Sequence, residues 1–197
     1  MTGTPDPWPQ FAQWYDLACA QELNDPNAMA LATADSAGTP DVRIVLMKEF
    51  TPEGVVFYTN TGSQKGLALA GNPRAAVTIH WKSLQRQIRL RGDVEHVSDA
   101  EADAYFASRA RDSRIGAWAS RQSRELSGRQ ELEESVARQA ERFGGQDEVP
   151  RPQYWRGYRI RPVYLEFWTQ RPFRLHDREI YLRPKPEADW STTRYYP

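Results

Sequence analysis

Apolar and polar residues alternate along most of this chain with the two-residue period of half-buried strands. The runs are short: AMALATAD (28–35), VRIVLMKEF (42–50), GVVFYTN (54–60), RAAVTIHW (74–81) and RQIRLRGDVEHV (86–97). The turn-forming stretches SAGTPD, TPEG, TGSQKG and GNP separate them. Strands at this spacing predict a meander that closes into a small barrel or sandwich. Ahead of them Phe11, Trp14, Tyr15 and Ala18 recur at helical spacing, which predicts an amphipathic helix over about residues 9–23. The pattern turns helical again over about 98–143. Ser98–Glu101 reads as a capping box, Ser127–Gln130 as a second start, and Leu132, Val136 and Gln139/Ala140 as a stripe that ends at Gly144 and Gly145. From about 150 to 197 strands return, as YWRGYRIRPVYLEFW, FRLHDREIYLRP and a last run near Trp190. The tail strands need partners from the first half, so the pattern predicts one mainly β, α+β domain over residues 1–197. No βαβ alternation and no glycine-rich phosphate loop after a strand is present, which argues against Rossmann and P-loop folds.

Composition narrows the function classes. The formal net charge is zero, which argues against a general nucleic-acid or membrane-surface binder. No apolar run approaches the ~18–20 residues that span a bilayer, and MTGTPDPWPQF lacks the features of a secretion signal. Cys19 is the single cysteine; it fits a reducing cytoplasm and reads as a packing residue of the first helix. Only four of the 26 cationic residues are lysines: Lys48, Lys65, Lys82 and Lys185. Arginine does not replace a compact point charge freely, so these four draw notice.

Catalytic constellations are weak. His80, His96 and His176 lack metal-ligand spacing, and no GxSxG elbow occurs. The anion-handling positions say more. Tyr105, Arg109 and Ser113 are spaced i, i+4, i+8 and share a face if one helix runs through them, which would cup a small phosphate or simply form a polar helix face. Arg43 and Lys48 end an apolar strand on opposite faces, so they serve one site only if the strand bulges or the site spans its end. Lys65 opens a helical run after a glycine turn, a setting that favours anions. In RLHDR, read as a strand, Arg174, His176 and Arg178 share one face with Leu175 and Asp177 opposite. Either a solvated edge or an anion-receiving site explains that face.

Seven segments in order, RIVLMK, FYTNTGSQK, RQIRLRG, YFASRARDSRIGAWASRQS, YWRGYRI, EFW and RLHDR, closely resemble the pyridoxine/pyridoxamine 5′-phosphate oxidase family, from about Asp6 to the end. The resemblance implies an FMN-binding split β-barrel with flanking helices. It also implies a homodimer with FMN at the interface and residues of both chains in each site. The implied reaction oxidises pyridoxamine or pyridoxine 5′-phosphate to pyridoxal 5′-phosphate and reduces molecular oxygen to hydrogen peroxide. By position, Arg43, Ile44, Val45, Leu46, Met47, Lys48, Tyr58, Thr59, Gln64, Lys65, Gln87, Gln122, Ser123, Trp168 and Arg178 look like the FMN set. Lys48, Tyr105, Arg109 and Ser113 look like the substrate-phosphate cup, and Arg174 and His176, with Leu175 between them, like the substrate-facing catalytic pair. On this reading Arg174 holds the amine or alcohol region, His176 orients the pyridine, and Arg178 or Gln87 supplies polarity near the reduced flavin.

Two departures from the family pattern carry expectations. Gln64 stands where the family usually has an arginine near the FMN phosphate, so FMN should be held less tightly. Many members have an N-terminal arm that covers the substrate; this sequence begins just before the first helix, which implies either a more open site or a shortened chain. Two other readings compete: a split-barrel flavin enzyme with another substrate, such as a phenazine precursor, and a non-catalytic FMN or pyridoxal-phosphate carrier.

Overall fold

The computed structural model describes residues 4–146 and 148–197. The first helix, α1 (Trp8–Gln21), sets Trp8, Phe11, Trp14 and Ala18 against the sheet and ends where Glu22 turns extended. Trp14 meets Phe167 edge-on at 5.0 Å, and Phe11 lies 4.7 Å from Phe50. Cys19 is exposed rather than packed, because it lies on the outer side of this helix; the packing role read from the sequence is corrected.

The strands are β1 (Ala28–Ala34), β2 (Pro40–Leu46), β3 (Glu49–Thr51), β4 (Gly54–Asn60), β5 (Arg74–Trp81), β6 (Arg86–His96), β7 (Trp155–Thr169), β8 (Asp177–Leu182) and β9 (Ser191–Arg194). All join one antiparallel sheet, in the order β2-β1-β5-β6-β7-β4-β3, with β8 also on β7 and β9 on β8. Alternation holds well in β1 and β5, where Met29, Leu31, Val77, Ile79 and Trp81 point inward to Ile88, Leu90, Leu165 and Phe167. The opposite face of β1, β2 and β5 carries small residues, with Val42 and Ile44 exposed at its edge.

The architecture turns on β7. Its first half (Val55–Asn60 against Trp155–Ile160) pairs with β4, and its second half (Tyr164–Thr169) pairs with β8. Between them the β6–β7 register slips at Arg91/Gly92, opposite Pro162, which has no N–H to give the ladder. Gly92 makes the slip possible: a Cβ there would sit 1.9 Å from the Arg161 carbonyl oxygen. The long β6–β7 pair thus joins two halves of the sheet, with β4 on one half of β7 and β8 on the other.

The remaining helices are α2 (Gln64–Gly71), α3 (Asp99–Ser108), α4 (Arg111–Ala119) and α5 (Arg129–Arg142). The Ser98–Glu101 capping box forms as expected. The second start differs: Gly128 is the N-cap of α5, and Ser127 instead engages Glu131 through both its amide and its hydroxyl. No helix among the described residues is long and apolar enough to cross a membrane.

Gly92→Ala should destabilise the fold by about 2–3 kcal/mol, since the backbone must move to admit the methyl group. A urea melt read by far-UV circular dichroism measures it, and an unchanged midpoint would refute the role given to this bulge.

Candidate functional site

A cavity of about 830 Å³ lies where β2, β4, α3, α4 and the start of β7 meet. Its charged lining residues are Arg43, Lys48, Lys65 and Arg109; among the described residues no carboxylate lines it. In a chain of zero net charge this is a strong local excess.

At one end Lys65 is only 8% exposed. Its Nζ donates to Thr59 Oγ1 (3.0 Å), Ser63 Oγ (3.2 Å) and Gln122 Oε1 (3.0 Å), all neutral acceptors. Burial first, and the Arg43 charge second, pull its pKa from 10.5 down to about 8, against a small opposing effect of Asp41. A buried ammonium without a counter-ion is costly, and a bound anion would remove that cost. The Ser63 hydroxyl also caps α2 by accepting from the Gly66 amide. Arg43 donates to Thr33 Oγ1 at 2.8 Å and lies beside Asp41, so part of its charge is engaged within β1 and β2.

The other end is aromatic. Tyr105, Tyr58 and Trp155 form a pile, with Tyr58 4.2 Å from Tyr105 and 5.0 Å from Trp155 and the rings nearly parallel. Gly157, in register with Tyr58, makes room: a Cβ would lie 2.6 Å from the Tyr58 ring. Burial, reinforced by Glu49, Glu101 and Tyr105, pushes the Tyr58 phenol up to about 12, so it stays neutral. The Arg109 guanidinium lies 5.0 Å over Trp155, and its buried Nη1 has no hydrogen-bond partner among the described residues. Burial lowers its pKa, while Tyr105 opposes the shift. Lys48 Nζ approaches the Tyr105 ring at 6.0 Å.

Several expectations need correction. Tyr105, Arg109 and Ser113 do not lie on one helix: α3 ends at Ser108, Arg109 is extended, and α4 begins at Arg111. They still line one cavity, because the break turns Arg109 inward. Arg43 and Lys48 also meet there; β2 ends at Leu46, so strand alternation no longer governs Lys48. Ile44, Val45, Leu46, Thr59, Gln122 and Ser123 line the cavity too. Met47 does not, since its side chain is buried in the core. Gln64 opens α2 with an exposed side chain outside the lining. The sequence reading missed Asn60, Ser120 and Trp155, which also line the cavity; for Trp155, an aromatic beside a glycine in YWRGY was the available signal.

The remaining candidates form a second group elsewhere on the chain. Gln87, Trp168 and Arg178 stand in one register row across β6, β7 and β8. The His176 ring lies 4.5 Å from Trp168, and its Nδ1 accepts from the Arg171 amide at 3.1 Å. RLHDR is not a continuous strand: residues 172–174 form a 3₁₀ turn with Phe173 and Arg174 at φ 59° and 63°, and β8 starts only at Asp177. The shared strand face read for Arg174, His176 and Arg178 is therefore replaced by a turn that presents Arg174 and Leu175 to solvent. None of this group lines the 830 Å³ cavity.

Residues 16–142 match the family model described as pyridoxamine 5′-phosphate oxidase, and 155–197 match that of the pyridoxine 5′-phosphate oxidase C-terminal dimerisation region. The chain belongs to the pyridoxamine 5′-phosphate oxidase family. A pyridoxine/pyridoxamine 5′-phosphate oxidase of Maricaulis maris is 62% identical over 192 residues, covering 98% of this chain and 86% of the relative. One of Brucella canis is 56% identical over 196 residues, covering 100% and 96%. Among solved structures, PhzG from Burkholderia lata in complex with tetrahydrophenazine-1-carboxylic acid superposes with a TM-score of 0.91 at 30% identity, covering 100% of this chain and 95% of that one. A pyridoxamine 5′-phosphate oxidase-related, FMN-binding protein of Nostoc punctiforme has the same fold (TM-score 0.77, 18% identity, 98% and 100% covered).

FMN is the cofactor of this family, and the residues present fit it. Lys65, with its hydroxyl and amide partners, offers a buried charge-assisted cradle for a phosphate monoester. The unpartnered Nη1 of Arg109 offers a second anion contact across the same cavity.

FMN affinity should fall about tenfold between pH 7 and pH 9, because a lysine with a pKa of about 8 is largely neutral at the higher pH. Lys65→Met should bind FMN weakly at both values and lose this dependence. A fluorescence-quenching titration checks both, and a flat wild-type profile would count against Lys65 as the phosphate ligand.

Proposed function

We propose that this protein oxidises pyridoxamine 5′-phosphate, pyridoxine 5′-phosphate or both to pyridoxal 5′-phosphate as an FMN-dependent homodimeric oxidase. The observation that carries this reading is the cavity lined by four cations and, among the described residues, no acid, with two anion-gripping groups at its two ends. Two phosphate monoesters side by side match that arrangement. The chemistry that bound FMN supplies is two-electron oxidation of the substrate C4′ carbon, with dioxygen as acceptor and hydrogen peroxide as product.

The chain's own residues divide the remaining work. Lys65, Thr59, Ser63 and Gln122 hold the cofactor phosphate. Lys48, Tyr105, Arg109 and Ser113 hold the substrate phosphate, and Tyr58 stays an uncharged phenol against Tyr105 and Trp155. Arg174 contacts the amine or alcohol region and His176 orients the pyridine. The Arg171 amide fixes the His176 tautomer by donating to Nδ1, which leaves the proton on Nε2. Holding both rings in register removes the entropy of their encounter, so no strong base is needed.

Trp155 and Trp168 lie at opposite ends of β7, thirteen residues apart, or roughly 40 Å of strand path. The row of Gln87, Trp168 and Arg178 therefore completes the cavity of the other protomer, not of its own. The match to a dimerisation region over 155–197 supports this arrangement. A phenazine-type substrate is less well matched, since a carboxylate alone leaves the Arg109 cup without a phosphate ester.

The purified protein should show a flavin spectrum, and anaerobic pyridoxamine 5′-phosphate should bleach it; a flavin band that stays oxidised would overturn the assignment. Arg109→Ala should raise KM for that substrate about 10- to 100-fold in an oxygen-uptake assay while FMN stays bound, the loss of one charge-assisted contact. Gln64→Arg adds a cation at the first position of α2, next in sequence to Lys65. It should tighten FMN severalfold, and an unchanged dissociation constant would show that position 64 does not reach the phosphate.

A further inference from the structure

Glu166 is a carboxylate in the middle of β7 and only 1% exposed. Its strand neighbours Leu165 and Phe167 are core residues, and Ile180, its register partner on β8, is fully buried. A buried charge in such a strand is weak as a stabilising device, since apolar residues of similar size often serve as well. Its contacts are numerous and directed. Arg178 donates to it twice, from Nε at 2.7 Å and from Nη2 at 3.1 Å. Arg89, directly opposite on β6, donates from Nη1 at 3.2 Å, and the Tyr164 hydroxyl donates a short hydrogen bond to Oε2. Burial opposes ionisation, but Arg178 and Tyr164, as donors, and the Arg178 and Arg89 charges outweigh it and hold the carboxyl below its usual range.

The two-point contact fixes the plane of the Arg178 guanidinium. Its third nitrogen, Nη1, donates to the Tyr196 carbonyl at 3.1 Å, which leaves two N–H groups, one on each Nη, uncommitted among the described residues. Arg178 is in register with Trp168, and Trp168 with Gln87, so these donors stand at the end of the same row. Glu166 is two residues before Trp168 and shares its face.

We propose that Glu166 is a positioning residue that clamps Arg178 in one orientation beside Trp168 and thereby sets how tightly the flavin is held. This rests on the proposed function, in which Arg178 faces the flavin. Glu166 does not itself reach the ligand; it acts through Arg178. A glutamine cannot replace it, because an amide presents a donor to one of the two guanidinium nitrogens.

The test is a double-mutant cycle on FMN affinity, with the visible circular dichroism of the bound flavin as a second readout. Glu166→Gln and Arg178→Gln should each raise the FMN dissociation constant about tenfold and alter the flavin dichroism alike. The double variant should be no worse than either single one, within about twofold. If Arg178→Gln weakens FMN but Glu166→Gln does not, or if the two losses multiply in the double variant, the clamp is refuted while the flavin-facing place of Arg178 stands. If Arg178→Gln leaves affinity and dichroism unchanged, that place itself is wrong and the clamp falls with it. Should Glu166→Gln not fold, Glu166→Asp keeps the charge but withdraws it by one methylene, and the cycle built on it supports or refutes the clamp by the same comparisons.

Discussion

Strand β7 carries Trp155 at its first position and Trp168 near its last, with the Gly92–Pro162 slip between them. Along one edge β6 pairs with it from Tyr158 to Thr169, while the other edge is shared, β4 taking the first half and β8 the second. That constraint distributes the chemistry. The first half supports the pile of Tyr58, Tyr105 and Trp155 and the cation-lined cavity. The second half supports the row of Gln87, Trp168 and Arg178. In the proposed dimer each chain holds two incomplete half-sites facing different ways, and a symmetric pair makes two complete ones.

Electrostatics follows the same division. The chain is neutral overall, yet its acids are largely committed elsewhere. Asp99 and Asp103 engage Arg151, Glu53 and Glu101 engage Arg159, and Glu95 and Glu187 engage Arg161. Among the described residues, the cations of the cavity are left without acids in its lining. Lys65 bears most of the cost, as its lowered pKa records. Between about pH 8 and 10.5 the unfolded chain holds this proton more tightly than the folded one. The ligand-free protein therefore gains stability as pH rises through that window, and a bound phosphate, by raising the pKa, removes the gain. Stability of the empty site and affinity for the anion are opposed by construction.

The positions of most strands were legible because β1 and β5 bury one face and alternate cleanly, and the Ser98–Glu101 box marked a helix start by chemistry that needs no tertiary partner; their order was not, since β1 pairs with β5 and β4 with β7 where a meander would pair neighbours in sequence. The local sequence was silent where tertiary contacts override it. Tyr105, Arg109 and Ser113 have helical spacing, but the chain breaks at Arg109 so that its guanidinium can lie on Trp155, 46 residues away in sequence. RLHDR alternates like a strand, but a proline-led 3₁₀ turn with two left-handed residues takes its first half. The Gln122 amide reaches Lys65 from a loop 57 residues distant, a contact that no spacing rule encodes. Glu166 was passed over in the sequence, although as the one acid in VYLEFW, in so apolar a strand, it calls for a cation partner.

The same logic explains why the phosphate grip and the ring grip are built differently. Lys65 is a compact charge, buried, with its donors spread over three neutral oxygens, so it can re-aim toward an anion at the cost of weak contacts. Arg178 is planar, tied on one edge to a buried carboxylate, and cannot re-aim without breaking a two-point contact. A phosphate tolerates small shifts because its charge is spread over equivalent oxygens. A flavin edge presents a fixed donor and acceptor pattern and does not. In the proposed function the adaptable cation is the one at the phosphate and the rigid one the one at the ring. The hydrogen bonds around Lys65 and Arg178 divide them in that way.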